Sequence, residues 1–306
     1  MLGTSKQTAE LAGDITDHTA VQGRSLMRDA RDRFFRNKAA IVCMVVLGMI
    51  VAFVFFGPLF AQWDYETADW GAMGLDGPPS VATGHYFGTD DLGRDLYSRT
   101  IRATGTSLLV GLIGAGMALV IGTAWGIVAG YYGGRLDDWM MRFVDILLAI
   151  PLTLVLILIL VMVGRSFTTL FIALGALSWL TMSRIVRAQT LALKGREFIE
   201  AARASGVSEQ MIILRHILPN LIGVVIVYAS LLIPEMILAE SFISFLGLGI
   251  SEPQTSLGSL IKEGAATMTY GTLWQLAFPL VFFVTIIFTM FFIGDGLRDA
   301  LDPKDR

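Results

Sequence analysis

The sequence has 306 residues, of which 54% are hydrophobic and only 16% are charged, and its mean hydropathy is +0.65. Soluble domains carry roughly a quarter charged residues, so this composition indicates a membrane protein. A net charge of −3 and a pI near 5.6 give no reason to expect nucleic-acid binding. The single cysteine, Cys43, excludes an intrachain disulfide.

Residues 1–38 are predicted to form a cytoplasmic N-terminal segment. They lack an apolar core and a small-residue cleavage site, so we do not expect a signal peptide. The segment contains a cluster of five arginines, Arg24, Arg28, Arg31, Arg33 and Arg36. Two interpretations remain open for this cluster: a basic helix that binds anionic lipids, or simple positive-inside anchoring of the first span.

Six apolar runs are long enough to cross a bilayer core of about 30 Å. They lie at about 39–60, 105–130, 140–163, 167–184, 218–246 and 274–296. The first run is too long for a signal peptide and is predicted to be an uncleaved anchor. The fourth is the shortest, and its limits are open because Arg165 and Arg184 lie close to its ends. The predicted fold class is therefore an all-α membrane protein with six transmembrane helices.

The distribution of Lys and Arg predicts the orientation of these helices. If both termini are cytoplasmic, all but five of the 23 basic residues lie on the cytoplasmic side. The five exceptions are Arg94, Arg99, Arg102, Arg165 and Lys262. The sequence thus predicts a multi-pass protein of the inner (plasma) membrane with both termini in the cytoplasm.

Segment 61–104 is predicted to be an extracytoplasmic loop between the first two spans. Its seven carboxylates outnumber its three arginines, and they are Asp64, Glu66, Asp69, Asp76, Asp90, Asp91 and Asp95. Gly and Pro at 77–79 favour a loop over a buried domain, so we expect a solvated acidic cap. A glycosidase-like pair of catalytic carboxylates is the alternative, but nothing in the sequence fixes their separation.

Helix-breaking residues mark several spans. Three spans contain a proline, in order Pro151, Pro234 and Pro279. Each proline removes a backbone hydrogen bond and permits a kink, so both a hinge and a packing role are open. The glycines at 122, 126 and 130 recur every four residues, and we expect them to form a smooth ridge for close helix packing.

A polar segment at 196–219 separates the fourth and fifth spans. Residues 196–205 favour a helix because they are rich in Glu and Ala, and Arg196 and Glu200 lie four residues apart on one face. A helix of about ten residues is too short to persist alone in water. We therefore expect a partner surface to hold it.

The end of this short helix also has a recognisable pattern. Gly206 supplies the left-handed residue that ends a helix, and Val207 is placed to fold back onto Ala202 in a Schellman arrangement. Ser208 is predicted to cap a second helix that continues into the fifth span.

Two carboxylates, Glu235 and Glu240, lie in the outer half of the fifth span. A charged carboxylate at mid-membrane costs about 2.5–3.5 kcal/mol, so both are expected to face the bundle interior, a water-filled path or another subunit. Contact with a transported substrate and a structural hydrogen bond both remain open for them. Asp145 is predicted to pair with Arg142 or Arg184 in a structural role.

Several site types are not indicated. The sequence has no GxxxxGK[ST] phosphate loop, so we do not expect the chain itself to bind and split a nucleotide in that way. None of the three histidines, His18, His85 and His216, lies near another or near a Glu at ligand spacing, so we expect no metal site. Polar residues inside the spans are scarce, and no catalytic residue or bound cofactor is predicted.

The polar segment contains Glu200-Ala201-Ala202, then three residues, then Gly206, and finally Leu218-Pro219. This pattern resembles the EAA loop of ABC importer permeases. The family usually has Ile three residues before the Pro, where this chain has His216. The run 215–220, RHILPN, is similar to the version found in peptide and nickel permeases.

Other segments agree with this branch of the family. They are 88–99 (GTDDLGRDLYSR), 244–249 (SFLGLG) and 294–303 (GDGLRDALDP). The opening 23–31 is most similar to C-type inner-membrane subunits of oligopeptide permeases. The similarity covers nearly the whole chain from about residue 22.

The resemblance implies a type I ABC importer permease fold without catalytic activity, with a permease core at 105–297 and a cytoplasmic tail at 298–306. It implies four kinds of partner: a homologous second permease subunit, two ATPases that use ATP and Mg, an extracytoplasmic peptide-binding protein, and membrane lipid. The helix at 197–205 would be the coupling helix. Glu200 would anchor it to an ATPase, Ala201 and Ala202 would allow close approach, and Gly206 would make the turn. Arg203 and Pro219 belong to the same coupling segment.

The cargo is left open by the resemblance. Oligopeptides are favoured by the opening segment and the tail, but similar permeases carry dipeptides, nickel chelates or glutathione. A secondary transporter driven by ion gradients is a different class of alternative. Such a protein would show paired repeats with interrupted helices, and the sequence has no clear internal repeat.

Overall fold

The computed structural model describes residues 26–72, 77–250 and 252–301, and these residues form helices without a named strand. The helices are α1 (Leu26–Phe34), α2 (Lys38–Phe56), α3 (Leu96–Tyr132), α4 (Gly134–Ala149), α5 (Leu152–Val163), α6 (Phe167–Lys194), α7 (Glu197–Ala204), α8 (Glu209–Ile212), α9 (Leu218–Phe245), α10 (Leu257–Thr267) and α11 (Leu273–Leu301). The predictions made for Arg24, for Asp76 and for the end of the tail fall outside the described residues.

Five helical segments in the described part of the chain are long and apolar enough to cross a membrane. They are Lys38–Leu59, Leu96–Tyr132, Phe167–Lys194, Glu209–Phe245 and Leu273–Leu301. Helices α4 and α5 make a sixth span if they are counted together. The all-α class with six spans is confirmed in this sense.

The third predicted span is not a continuous helix. Helices α4 and α5 meet at an angle of 78°, because Ile150 adopts an extended backbone (φ −88°, ψ 130°) just before Pro151. Proline disfavours the helical conformation in the residue before it and cannot donate a backbone hydrogen bond. The uninterrupted run predicted at 140–163 is therefore corrected to a bent pair.

The second span begins nine residues earlier than its apolar run. Asp95 caps α3 by accepting a hydrogen bond from the backbone N–H of Ser98 at 2.8 Å. The first turns of α3 are polar, which is why hydrophobicity alone placed residues 96–104 in the loop. Helix α6 likewise runs to Lys194, ten residues past the apolar run that ends at 184.

The glycine ridge of α3 packs directly on α6. A Cβ atom on Gly126 would lie 2.6 Å from the carbonyl oxygen of Ser183, and one on Gly130 would lie 2.9 Å from that of Arg187. Both distances are too short for any side chain, so the two backbones touch. The packing prediction for this ridge is confirmed.

The two ends of the bundle differ in construction. The capped end, as we call it, carries the loop 60–95 and α10, and the coupling end carries segment 196–219. At the capped end the ring of Phe87 stacks on Phe278 with centroids 4.1 Å apart. The side chains of Trp274 and Gln275 donate hydrogen bonds to the carbonyl oxygen of Thr89 at 3.2 and 2.9 Å. The loop is thus fastened to the start of α11.

Candidate functional site

Helix α7 is the short helix predicted in the polar segment. It ends where Gly206 takes φ +79°, and the N–H of Gly206 donates to the carbonyl of Arg203 at 3.0 Å. The N–H of Val207 donates to the carbonyl of Ala202 at 3.1 Å. These two bonds are the Schellman arrangement expected from the sequence. A side chain at position 206 would strain the backbone.

The chain itself holds α7 in place. Ile199 is fully buried and packs in an apolar cluster with Met182 and Val186 of α6 and with Ile212 and Ile217 beyond the turn. The expectation that a separate partner surface must hold this short helix is therefore wrong. Its own membrane helices supply that surface, and the remaining face is free to contact another protein.

The second helix starts after Ser208, as predicted, but the serine hydroxyl makes no capping hydrogen bond. The one-turn helix α8 continues through a wider π-helical turn at Ile213–Ile217 and then into α9. Pro219 lies where the π-helical turn passes into α9. Residues Glu209–Phe245 thus form one continuous helical segment that includes the fifth span.

The outward face of α7 contains most of the residues assigned to coupling. Glu200, Ala201 and Arg203 are exposed, and so is Gly206. Ala202 instead is partly buried against the cluster around Ile199, which leaves it less accessible to a partner. The structure thus places Ala201 and Ala202 differently, although the sequence treats them alike.

Two exposed apolar residues beside this face escaped the sequence analysis. Phe198 is 44% exposed and Leu214 is 60% exposed, and the ring of Phe198 lies 6.5 Å from that of His216. Phe198 could have been identified in the sequence as an aromatic residue in a short polar helix, directly before the apolar Ile199. Together with Ala201 they give the coupling end an apolar contact surface.

Polar contacts join α7 to the end of α3. The Arg203 Nη2 donates to the hydroxyl of Tyr131 at 3.4 Å, and its Nε donates to Glu209 Oε1 at 3.3 Å. The Tyr131 hydroxyl also contacts the Glu209 carboxylate closely. The hydrogen bond to Tyr131, followed by that to Glu209, raises the pKa of Arg203, so its charge is retained. Arg203 therefore connects α7 to the bundle as well as being exposed.

Charge pairs also connect α4 to α6. Arg187 donates through Nη2 to Asp137 Oδ2 at 2.6 Å, and Arg184 forms a close pair with Asp145. The second pair is one of the two predicted for Asp145. Both pairs link helix α4, which precedes the bend at Pro151, to α6.

Glu240 is enclosed in the bundle, with no exposed surface. Its carboxylate accepts hydrogen bonds from the hydroxyls of Ser244 at 2.6 Å, Ser241 at 3.1 Å and Ser107 at 3.3 Å. The oxygen of Ser107 in turn accepts from the N–H of Leu257 at 3.2 Å. Of the two roles left open for Glu240, the structural hydrogen bond is the one whose partners are present.

Glu235 has very different surroundings. It is exposed and lines a cavity of about 180 Å³ between α6 and α9, together with Thr181, Met182, Tyr228 and Leu232 among others. Its carboxylate makes no hydrogen bond or ion pair with any other described residue. Although only five residues separate the two carboxylates, the structure does not bring them together.

The three prolines differ in their effect on the helices. Pro151 is exposed and lies at the 78° bend between α4 and α5. Pro234 and Pro279 are buried inside α9 and α11, and both helices run on without a break. Their roles as hinges stay predictions.

The capped end contains a buried charge cluster that the sequence analysis missed. Arg99, which is 1% exposed, donates to both carboxylate oxygens of Glu263, at 2.6 and 3.2 Å, and also contacts Asp90 closely. Arg94 donates through Nε to Asp90 Oδ2 at 2.7 Å and through Nη2 to Glu252 at 3.2 Å. These contacts join loop 60–95, α3 and α10.

The expected solvated acidic loop is therefore only partly right. Asp64, Glu66 and Asp91 are exposed, whereas Asp90 and Asp95 are buried, the latter 2.9 Å from Nδ1 of His85. Burial alone lowers the pKa of the Arg94 guanidinium, but the charge of Asp90 and its hydrogen bond outweigh this and raise it. Arg94 thus remains a permanent positive charge in the cluster.

Comparison with known proteins decides the family. Residues 122–306 match the model of the family described as "Binding-protein-dependent transport system inner membrane component". The chain belongs to this family. Residues 25–79 match the "N-terminal TM domain of oligopeptide transport permease C". The resemblance inferred from the EAA segment is confirmed.

Curated relatives of this family member cover almost its whole length. The chain is 49% identical to the oligopeptide transport system permease protein OppC of Escherichia coli K12, over 99% of both chains. It is 48% identical to OppC of Haemophilus influenzae, over 97% of this chain and 94% of the relative. OppC of Bacillus subtilis is 40% identical over 96% and 95%.

A solved structure supports the fold of this permease. A chain of the MetNI methionine ABC transporter, in an inward-facing conformation, aligns with a TM-score of 0.53 at 19% identity. The alignment covers 67% of this chain and 96% of that one. The chain therefore has the fold of an ABC importer permease and is a multi-pass inner-membrane protein.

Proposed function

We propose that the chain is one of the two permease subunits of an ATP-driven, binding-protein-dependent importer, and that its cargo is oligopeptides. The observation that best supports this is α7, a short helix whose Ile199 is buried in the membrane bundle and whose opposite face is exposed. A helix held in this way transmits a displacement imposed by a partner protein to the membrane-spanning helices. The names of the curated relatives support the choice of oligopeptides.

In the proposed coupling step, α7 links the ATPase subunits to the membrane-spanning helices. One of the two ATPase subunits, which bind ATP and Mg, holds the face formed by Glu200, Ala201 and Phe198. When the ATPase pair closes on ATP, α7 moves with it. The buried side chain of Ile199 passes this displacement to α6 and α9, and the contact between Arg203 and Tyr131 passes it to α3. This chain itself hydrolyses nothing.

The coupling end and both termini lie in the cytoplasm in this proposal, in accord with the distribution of basic residues. The homologous second permease subunit completes the pore, and lipid surrounds the remaining apolar faces. The capped end meets the extracytoplasmic peptide-binding protein, which delivers the cargo. Glu235 is the proposed polar group along the pathway, and Pro151, Pro234 and Pro279 are the proposed hinges.

The first test addresses coupling. Glu200→Lys reverses the charge on the exposed face, and Gly206→Val places a branched side chain at φ +79°. We expect both to abolish ATP-dependent peptide uptake in vesicles that contain the full importer, while the variant chain stays inserted in normal amounts. Asp138→Asn, at an exposed carboxylate on α4, is the control. Unchanged uptake in both variants would remove the coupling assignment.

The second test addresses cargo and class. A strain that lacks only this gene is given labelled peptides of graded length, and then dipeptides, a nickel chelate and glutathione. We expect a loss of uptake that is specific to oligopeptides. Loss of one of the other cargoes instead would move the protein to that substrate. Uptake that persists after every candidate ATPase is deleted, and stops when ion gradients are collapsed, would identify a secondary transporter.

A further inference from the structure

We propose that the cavity at Glu235 binds the positively charged amino terminus of a peptide in transit, an inference that rests on the proposed function. The cavity has a volume of about 180 Å³ and lies between α6 and α9. Pockets for drug-sized ligands measure roughly 300–1,000 Å³. The cavity at Glu235 therefore suits one end of a peptide rather than a whole one.

The carboxylate of Glu235 lacks a counterpart within the chain. It lies in an apolar span and makes no hydrogen bond or ion pair with another described residue. Carboxylates in such a place are costly and are retained where they have a function. Glu240, five residues further on, shows what a structural carboxylate looks like in this chain, since three serine hydroxyls satisfy it. The carboxylate of Glu235 is thus chemically suited to bind a cation.

The walls of the cavity suit the rest of a terminal residue. On α9, Tyr228, Leu232 and Glu235 lie at spacings of four and three residues, so they share one face over two helical turns, about 10 Å. With the ammonium group at Glu235, the first side chain of the peptide rests on Leu231 of α9 and on Ile185 of α6, the partly exposed apolar residues of the lining. The hydroxyls of Tyr228 and Thr181 are free to bond the peptide backbone.

This arrangement recognises only chemical groups that are common to all peptides. The ammonium group and the first backbone amide are common to every sequence, whereas the apolar floor accepts side chains without selecting a polar pattern. A site of this kind would favour peptides with a free amino terminus and tolerate different sequences.

The test compares two peptides that differ at one group. One is a labelled tripeptide, and the other is its analogue in which hydroxyl replaces the amino group. Each is loaded onto the binding protein, and uptake by the full importer in vesicles is measured at saturating loaded binding protein, so that the rate reports steps after delivery. A charge-assisted hydrogen bond predicts a preference of about tenfold or more for the ammonium form in the wild type.

Variants then assign this preference to Glu235. Glu235→Gln is expected to remove it, Glu235→Asp to keep part of it, and the control Asp138→Asn to keep all of it. Asp138 is also an exposed carboxylate, so its change removes the same charge outside the cavity. Uptake is normalised to the amount of each variant in the membrane.

A second measurement does not depend on any change at Glu235. A photoreactive residue replaces Ile185, which lies on the α6 wall of the cavity. During turnover it should capture the labelled tripeptide several-fold more than the hydroxyl analogue. Equal capture of both, capture of the second permease subunit alone, or an unchanged preference in Glu235→Gln would overturn the site while leaving peptide import intact. If the wild type imports neither peptide, the proposed function itself fails.

Discussion

At the capped end, a cluster of charged side chains is buried and paired within the chain. In segment 196–219, by contrast, the charged side chains are exposed and a buried isoleucine provides the anchor. Arg99 and Asp90 illustrate the first design, and Ile199 with Arg203 illustrates the second. Buried pairs fix geometry strongly because a lost partner leaves an uncompensated charge. Exposed pairs fix it weakly, since water replaces either partner. The capped end is thus built to stay fixed and the coupling end to contact a partner.

The largest effect is expected from Arg99→Ala at the capped end. This change removes the buried guanidinium that bridges Asp90 and Glu263 and leaves Arg94 to pair with both carboxylates. Breaking a buried pair costs about 3–5 kcal/mol. We expect a marked fall in the thermal unfolding midpoint of the purified chain. Arg102→Ala, one turn along α3 at an exposed position, is the matched control and should stay within about 0.5 kcal/mol. Equal midpoints for the two variants would refute the rigid design of this end.

At the coupling end, Ile199→Ala should have the next largest effect. Removing a buried isoleucine side chain costs about 3 kcal/mol, because a cavity remains. Since Ile199 anchors α7, we expect faster proteolysis within 195–208 and less peptide taken up per ATP hydrolysed. The control is Ile172→Ala, which removes the same side chain from α6 at a residue that is 57% exposed. Proteolysis and coupling that match the wild type in Ile199→Ala would show that the anchor lies elsewhere.

Gly126→Ala tests the close packing of α3 on α6, the two helices that run between the two ends. The added Cβ would lie 2.6 Å from the carbonyl oxygen of Ser183, so α3 and α6 must separate, at a cost of about 1–3 kcal/mol. The matched change Gly116→Ala meets nothing within 4 Å, and should be neutral or slightly stabilising. Thermal unfolding of the two variants checks this, and a midpoint for Gly126→Ala at or above that of Gly116→Ala contradicts it.

Features that depend on neighbouring residues could be predicted from the sequence, whereas features that depend on distant residues could not. The long apolar runs identified the spans, and the order of Ala202, Gly206 and Val207 predicted the cap of α7, because both signals are local. The cluster of Arg99 with Glu263 could not be found in this way. Its members lie 164 residues apart, and the polar first turns of α3 looked like loop.

Local sequence also could not predict features that depend on how the helices pack. Glu235 and Glu240 look alike in the sequence, yet only Glu240 meets the serines of α3 and α9. The short amphipathic helix α10 was not predicted, since its position depends on Gly258 and Gly264. A Cβ on these glycines would lie 2.4 Å and 2.5 Å from the backbone oxygens of Ser241 and Gln275. Such contacts exist only after the helices have packed.

The smallest effect on stability is expected from Arg203→Ala. This variant allows a direct comparison of an exposed arginine at the coupling end with the buried Arg99 at the capped end. Arg203 is exposed, and exposed ion pairs contribute little to stability because water screens them. We therefore expect an unfolding midpoint indistinguishable from that of the wild type, in contrast to Arg99→Ala. If the contacts of Arg203 with Tyr131 and Glu209 transmit force from α7 to α3, uptake per ATP should nevertheless fall. Tyr131→Phe removes the same hydroxyl contact and should lower it too, whereas a fall in Arg203→Ala alone would mean that Arg203 acts through an ATPase contact instead.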